Sequence, residues 1–264
     1  MFLQNHLQSN RDRNWFEVKW LLYNIYLNYT LSKKQTLSFN FFGLNAQRNA
    51  LGFRTNRVSQ IDSGEERDLI KGDFNNYGFE SKWLNNYSIK NLNSTFLLGV
   101  KFYKSDNTSR QGPGSNNGNA DFNFYTNDFP NYNNQSDYQY PNLNVAFFGE
   151  NLFYLNDRLS ITPGFRIEHI KTESLGSYKK INLDGAGNVI LNQTINNNNI
   201  RKRSFILLGT GVSYKGPIEI YGNISQNYRS VTFADISIIN PAYSIDPNIS
   251  DEKGYTIDLS LIHI

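Results

Sequence analysis

Arginine side chains beside the polar segments are the residues of this chain best suited to bind a ligand. Arg110, Arg201 and Arg203 lie within or next to such segments. A guanidinium group can hold an anion through charge-assisted, often bidentate hydrogen bonds. Arginines in loops are more often simply solvated. The sequence therefore supports anion binding by these three residues as a hypothesis, with solvated loop arginines as the alternative.

A second candidate set stands together in the sequence, where a long alternating run ends. Tyr228 and Arg229 are followed by Phe233. These side chains could contact a ligand through a hydroxyl, a cation and an aromatic ring. Alternatively, they anchor the polar segment that begins there. We predict ligand contact for this set and keep structural anchoring as the alternative.

Charged residues also alternate along two neighbouring runs. Glu150 lies in the first run, and Arg166 and Glu168 lie in the second, with a short turn at 156–157 between the runs. Antiparallel pairing across this turn makes Glu150 and Arg166 near-diagonal neighbours within reach of long side chains. An ion pair of this kind contributes little where water reaches it. The residues alone leave a plain ion pair in the wall of a sheet as one explanation.

Several kinds of chemistry are excluded or disfavoured by composition. The chain has no cysteine, so disulfides, thiolate metal sites and cysteine nucleophiles are ruled out. His6, His169 and His263 are scattered without ligand spacing, and we expect no metal site. The acidic residues of segment 65–68 lack the spacing of a calcium loop and are predicted to be solvated. We expect no catalytic residues and no cofactor, and the net charge of +3 does not indicate a nucleic-acid partner.

The elements that position these residues are strands with two distinct faces. In one run, Leu143, Val145 and Phe147 alternate with the smaller Asn144 and Ala146, the period of two that is typical of a β-strand. Nine such runs are predicted, at residues 14–30, 35–47, 74–84, 94–105, 140–155, 158–171, 202–214 and 218–228 and from 253 onward.

The joints between the runs alternate strictly between short turns and long polar segments. The long segments cover about 48–72, 106–137, 172–200 and 229–252, and Asp184–Gly185 in the third predicts a small hairpin. The mean hydropathy of −0.55 is too polar for a helical membrane protein. A membrane-spanning strand, however, needs only about 9–11 residues, half of them apolar. The pattern predicts an all-β, antiparallel transmembrane β-barrel with short periplasmic turns and long extracellular loops.

Nine strands leave two open edges, which are costly in hydrocarbon, so we expect a fragment of a larger barrel. The last six residues, 259–264, also read as the translation of a sequencing-library transposon end. We therefore expect native sequence to stop near Asp258, and a genuine strand end is the alternative.

Two stretches resemble TonB-dependent outer-membrane receptors. Residues 148–153 with 159–168 are similar to a hairpin of that family, and 224–235 with 246–255 are similar to a loop and strand start of its barrel. The Asn- and Gly-rich, Bacteroidetes-like style and the segment 67–70 resemble the ferric-citrate type of siderophore receptor. The resemblance implies a 22-stranded barrel in the bacterial outer membrane, closed by a plug domain. Residues 1–264 would be about nine strands of that barrel, without the plug and the remaining strands.

The resemblance also implies roles and partners. The receptor would import an iron chelate, such as ferric citrate or another siderophore, with energy from the TonB complex reached through the missing N-terminal part. Glu150, Arg166 and Glu168 would face the lumen and contact the plug, and outer-membrane lipid would surround the barrel. Two alternatives remain: a passive porin-like channel, and a non-transport barrel such as an adhesin or an outer-membrane enzyme. No facing nucleophile and base support an enzyme.

Overall fold

The computed structural model describes residues 11–54, 60–230 and 249–263, and all its regular structure is β. These described residues form ten strands, and the sequence-based expectation of an all-β fold is confirmed. They are β1 (Trp15–Ser32), β2 (Gln35–Gly52), β3 (Asp68–Ile89), β4 (Leu92–Pro113), β5 (Ser136–Tyr154), β6 (Leu159–Leu183), β7 (Val189–Asn196), β8 (Asn199–Lys215), β9 (Ile218–Arg229) and β10 (Glu252–His263).

The ten strands form one antiparallel sheet. Its order is β1-β2-β3-β4-β5-β6-β8-β9-β10, and β7 pairs with the upper part of β6. Each strand therefore lies beside its neighbour in the sequence, apart from the β6–β7 insertion. No helix in the described segments is long and apolar enough to cross a membrane.

The alternating sequence gives this sheet two different faces and no core. Val145 and Phe147 on β5 are 43% and 41% exposed. Within the described part of the chain, the buried apolar side chains are Ala46, Leu51, Leu69, Pro113 and Ala146. We call the side that carries Phe147 the apolar face and the opposite side the polar face. Among the described residues, no second layer covers the apolar face along the middle of the strands, so its bulky side chains are available to lipid.

Short turns close one end of the sheet with two to four residues. The predicted turn at 85–93 is shorter than expected, since β3 and β4 continue until only Lys90 and Asn91 remain between them. Both residues have positive φ, 47° and 67°, as a two-residue hairpin turn whose twist matches its strands requires.

The strands extend beyond their predicted ends on the side of the long segments. β3 and β4 have 22 residues each, about twice the length needed to cross a membrane. The first two long segments therefore shrink to 53–67 and 114–135. Polar side chains also occupy the side of these extensions that continues the apolar face, where Asp73, Thr108 and Gln139 are directly opposite one another. Their polarity made the extensions look like loops, although the backbone pairing continues.

The third long segment is mostly hairpin rather than loop. The small hairpin predicted at Asp184–Gly185 is confirmed, because β6 and β7 pair across residues 184–188. Gly187 has a φ of 86°, a conformation that glycine adopts at no steric cost. At the far edge, β10 pairs with β9 from Glu252 to His263. The origin of residues 259–264 stays a prediction.

Candidate functional site

A charged network lies in the middle of the polar face, on β5 and β6. Arg166 Nε donates to Glu168 Oε2 at 2.5 Å, and Asn144 Nδ2 donates to Glu168 Oε1 at 2.6 Å. The Arg166 guanidinium also lies over the Phe148 ring, 5.5 Å from its centroid. Glu168 is nearly buried, so both of its oxygens are occupied by donors from within the sheet.

The predicted diagonal placement of Glu150 and Arg166 occurs, but the expected ion pair between them does not. Glu150 is opposite Gly164, and Arg166 is opposite Phe148. Arg166 pairs instead with Glu168, two residues along its own strand and on the same face. The Phe148 ring lies beneath the guanidinium, which favours this nearer carboxylate. Glu150 remains on the polar face with an exposed side chain.

A second cluster continues the network across β6, β8 and the segment before β10. Arg203 is nearly buried. Its Nε donates to Asp251 Oδ1 at 3.2 Å, and its Nη1 donates to Thr172 Oγ1 at 3.1 Å. The hydroxyl of Tyr228 donates to the other oxygen of Asp251 at 2.6 Å. One carboxylate thus joins two of the residues that the sequence singled out.

Tyr228 reaches this cluster because the pairing of β8 with β9 ends early. The described ladder stops at Gly209–Ser225, and the side chain of Gln226 accepts a hydrogen bond from the backbone of Leu208 instead. Tyr228 then stacks on Phe205, with ring centroids 3.9 Å apart. Phe205 is directly opposite Glu168, so the two clusters form one surface, which we call the lumen cluster.

The remaining predicted binding residues have different positions. Arg201 is on the polar face opposite Thr172, at the edge of the lumen cluster. Arg229 is exposed and pairs with Glu252 at 3.0 Å. Arg110 is within β4 rather than in a loop, on the same side of that strand as Val100, and pairs with Asp137 at 3.2 Å. Phe233 lies outside the described residues.

Comparison with known proteins identifies the sheet. A family model described as TonB dependent receptor-like, beta-barrel, matches residues 3–262. The chain belongs to this family. As a TonB-dependent receptor barrel it lies in the bacterial outer membrane, with its apolar face toward lipid, its polar face toward the lumen, its short turns in the periplasm and its long loops outside the cell.

Solved structures agree with this fold at low sequence identity. The ferric citrate transporter FecA in its unliganded form has a TM-score of 0.64 and 14% identity, with 98% of this chain and 34% of that chain covered. The ferric-catecholate import receptor Fiu from E. coli K12 has a TM-score of 0.68 and 9% identity, with 95% of this chain and 39% of that chain covered. The ferric yersiniabactin uptake receptor FyuA from Yersinia pestis has a TM-score of 0.59 and 14% identity, with 94% of this chain and 34% of that chain covered. This chain therefore spans little more than a third of each of these proteins. A search of curated proteins found no match.

Outside the cell, the receptor's loop 114–135 is fixed rather than free. Arg67 is fully buried, and its guanidinium donates to Ser115 O and Oγ, Asn117 Oδ1 and Arg13 O at 2.8–3.0 Å. Burial and the nearby charge of Arg13 lower the pKa of Arg67. Trp15 Nε1 donates to the backbone of the same loop at 2.8 Å. We call this group of contacts the loop clasp.

A buried carboxylate holds the other end of this loop. Asp68 accepts two hydrogen bonds from Gln111 Nε2, at 3.0 and 2.7 Å, and one from the hydroxyl of Tyr132 at 3.0 Å. Since β3 is about twice the length of a membrane crossing, Asp68 at its outer end lies beyond the membrane-spanning part. Burial raises the pKa of Asp68, and burial together with the Asp68 charge raises that of Tyr132. The expectation that Asp68 is solvated was wrong.

Sequence reasoning missed Asp251, Phe205 and the clasp residues. Asp251 and Phe205 are separated by 46 positions in the chain, and only the register of β8, β9 and β10 brings them together. The sequence did contain a signal for the loop clasp, because the opposite charges of Arg67 and Asp68 are adjacent directly before an alternating run. Within the described segments, no three His, Asp or Glu side chains are grouped so that they could hold a metal ion.

Proposed function

We propose that this chain is part of the barrel wall of a receptor that takes up an iron chelate with energy from the TonB complex. Membership of the TonB-dependent receptor family supports the TonB complex as the source of energy. The three similar solved structures are a ferric citrate transporter, a ferric-catecholate import receptor and a ferric yersiniabactin uptake receptor, and they support an iron chelate as the class of cargo. Because the chain covers about a third of those proteins, we also propose that residues 1–264 form one part of a larger barrel domain with a plug.

The observation that carries this proposal is the lumen cluster and its charge. On the lumen side around this cluster, four cations outnumber three carboxylates: the cations are Arg166, Arg201, Arg203 and Lys101, and the carboxylates are Glu150, Glu168 and Asp251. A cluster with surplus positive charge favours anionic ligands, and ferric citrate is an anionic chelate. Arg203 and Tyr228 share the two oxygens of Asp251. A chelate carboxylate could therefore replace Asp251 on Arg203 without leaving the guanidinium unpaired.

The same wall offers contacts for a plug domain. Glu150 is exposed on the lumen side, and Arg166 and Glu168 lie beside it across the register. Asn144 Oδ1 is buried and has no hydrogen-bond partner among the described residues. A donor from the plug would satisfy this oxygen. We propose that these four residues contact the plug and that the barrel itself stays passive while energy is delivered elsewhere.

The position of the predicted binding residues decides which of them the proposal includes. Arg201, Arg203 and Tyr228 belong to the lumen cluster, so they are proposed to contact the chelate. Arg229 is proposed only as a peripheral contact, because its charge is shared with Glu252 in solvent. Arg110 lies near the outer end of β4, on the side of the sheet away from the lumen, where it pairs with Asp137 and lies over the Phe124 ring, and it is left out.

Uptake of radioactive ferric citrate and of a ferric catecholate by iron-starved cells tests the proposal. The cells would carry the full receptor with Arg203→Gln, and the matched control is Arg158→Gln in a periplasmic turn. We expect Arg203→Gln to lower uptake of at least one chelate about tenfold or more, since charge-assisted hydrogen bonds to a buried cation are strong. The control should leave uptake unchanged, and a protonophore should abolish uptake by the unmodified receptor.

Two results would contradict this function. Uptake that continues in the presence of the protonophore would indicate a passive porin-like channel. Equal uptake of both chelates by cells with and without the receptor would remove the chelate as cargo and leave a non-transport barrel as the better explanation.

A further inference from the structure

The loop clasp contains the pair Asn117–Gly118, the only asparagine followed by glycine among the 264 residues of the chain. Glycine obstructs an attack by its own backbone nitrogen on the preceding side chain less than any other residue, because it has no Cβ. A Cβ built on Gly118 would meet nothing within 4 Å, and both residues are exposed. The pair is therefore open to ring closure and to water.

Hydrogen bonds fix the direction of the Asn117 side chain. Its Oδ1 accepts from Arg67 Nη2 at 3.0 Å and from the backbone N–H of Asn119 at 3.0 Å. Both neighbours are donors, so the oxygen of the amide points at them. The second bond forms an Asx turn, which folds the side chain back over the peptide of Gly118. Within the described segments the N–H of Gly118 donates no hydrogen bond, so this nitrogen is available to react.

Arg67 is a buried cation without a carboxylate in contact. Among the described residues, its hydrogen-bond acceptors are the oxygen of Asn117, two backbone oxygens and one hydroxyl, all of them neutral. Asp62 and Asp121 are near enough to favour its charge, but each is bound by another donor. A buried charge is costly unless an opposite charge compensates it. A carboxylate in place of the Asn117 amide would provide that compensation.

We propose that Asn117 is a self-modification site, where the amide is converted to a carboxylate outside the cell. In the first step the nitrogen of Gly118 bonds to Cγ of Asn117, and the side-chain nitrogen leaves as ammonia with the proton from Gly118. In the second step water adds to Cγ, the bond between Cγ and the Gly118 nitrogen breaks, and that nitrogen regains a proton. The net reaction exchanges ammonia for water and leaves aspartate at position 117.

The position of Arg67 selects the product. Negative charge develops on Asn117 Oδ1 whenever Cγ becomes tetrahedral, and donors at 3.0 Å stabilise an oxyanion. Because the guanidinium polarises the Cγ carbonyl of the cyclic intermediate, water attacks there and the main chain keeps its length. Attack on the other carbonyl would give isoaspartate, which lengthens the backbone. Trp15 donates to Gly118 O at 2.8 Å and holds the chain after the reacting pair.

The modification would tighten the loop clasp. A carboxylate at position 117 can accept both hydrogen bonds that the amide oxygen accepts now, and it turns the one from Arg67 into an ion pair. Water screens the attraction only partly, since the guanidinium is buried. Newly exported and older receptor molecules would then differ in how firmly the loop 114–135 is held. This maturation step is independent of what the receptor transports.

Mass spectrometry of the full receptor, purified from outer membranes, tests the modification. Protein from freshly induced cells is incubated in heavy-oxygen water, either folded in detergent micelles or unfolded in urea. Peptides that cover residues 114–121 are then sequenced by electron-transfer fragmentation. We expect the folded receptor to lose ammonia and gain one heavy oxygen at position 117, almost entirely as aspartate. The unfolded receptor should give mostly isoaspartate, because no guanidinium is held against Cγ.

Three variants separate the chemistry from the stability. Gly118→Ala places a methyl group in open space, so the loop should keep its fold while conversion at position 117 slows many-fold. Arg67→Met should shift the product toward isoaspartate. Asn117→Asp, made directly, should slow hydrogen exchange at the Gly114 amide about tenfold, the effect of one partly screened ion pair. Asn117→Asp combined with Arg67→Met should exchange no more slowly than Arg67→Met alone.

Three results would overturn the proposal. If asparagine survives at position 117 in the folded receptor while the unfolded receptor is converted, the clasp protects the amide. Isoaspartate as the main product of the folded receptor would show that Arg67 does not direct the water. Unchanged or faster exchange at Gly114 in Asn117→Asp would show that the carboxylate does not strengthen the clasp.

Discussion

Replacing Arg67 with methionine should release the extracellular loop 114–135 while leaving the barrel folded. Arg67 is fully buried, and its guanidinium makes four hydrogen bonds that join this loop to the start of β1. Methionine has a similar length but no donor. The acceptors on Ser115, Asn117 and Arg13 would lose their partner and remain partly buried.

The size of the effect follows from two opposing terms. Hydrogen bonds to a charged group contribute about 1.5–3 kcal/mol each, so four of them contribute roughly 6–12 kcal/mol. Against this stands the desolvation of a buried guanidinium, which costs several kcal/mol. The difference agrees with the loss of about 3–5 kcal/mol that is typical when one partner of a buried charged network is removed. The free energy for opening the loop should fall by that amount.

Hydrogen exchange at the amide of Gly114 measures this directly, because that N–H donates to the backbone oxygen of Arg67 at 2.7 Å. At 1.4 kcal/mol per factor of ten, exchange should accelerate about 140- to 3,700-fold in Arg67→Met. The amides of β5 should be unaffected. Arg54→Met is the matched control, since Arg54 is largely exposed and its charge is 3.6 Å from Asp68. Unchanged protection of Gly114, or equal acceleration in both variants, would refute the clasp.

Three further expectations concern the sheet and its outer loops. Phe147→Lys should lower the free energy of unfolding in lipid bilayers by about 2–4 kcal/mol, whereas Asn223→Lys on the lumen side should lower it far less. Gly78→Ala should cost about 1–3 kcal/mol in the same assay, because the added Cβ would lie 2.6 Å from a backbone oxygen of β4; an unchanged stability would show that the strands can separate. Arg13 holds the pKa of Asp62 below its usual range, so their contact should stabilise the loop above the ordinary aspartate pKa and be lost as the pH falls through the lowered value. An environment-sensitive label in the loop 53–67, which contains Asp62, should report this transition. The transition should be absent in Asp62→Asn.

The fold was predictable because its main signal has a period of two. Alternation such as Leu143, Val145 and Phe147 against Asn144 and Ala146 specifies which side of the strand meets lipid, and all nine predicted strands exist in the structure. What sequence could not define was where each strand ends. Outside the membrane both faces are polar, so Asp73 and Gln139 look like loop residues although their backbones are paired.

The candidate site was predictable by residue type but not by partner. Arg166 was expected to meet Glu150, and a rotamer over the Phe148 ring sends it to Glu168 instead. Arg203 and Tyr228 were expected beside a ligand. In the structure both donate to the carboxylate of Asp251, which directly precedes β10. Such contacts depend on strand register and local side-chain packing, which the identity of a single residue does not encode.

The orientation of the alternating side chains is the claim on which the rest of the account depends. Because the chain has no cysteine, a nitroxide label can be placed singly at each position from 143 to 150 in the full receptor. In bilayers, collision with oxygen should peak at 143, 145 and 147, and collision with a water-soluble nickel chelate should peak at 144, 146 and 148. Equal accessibility to the nickel chelate at Val145 and Asn144, or the reverse phase, would contradict a sheet with one side against lipid and the other against an aqueous lumen.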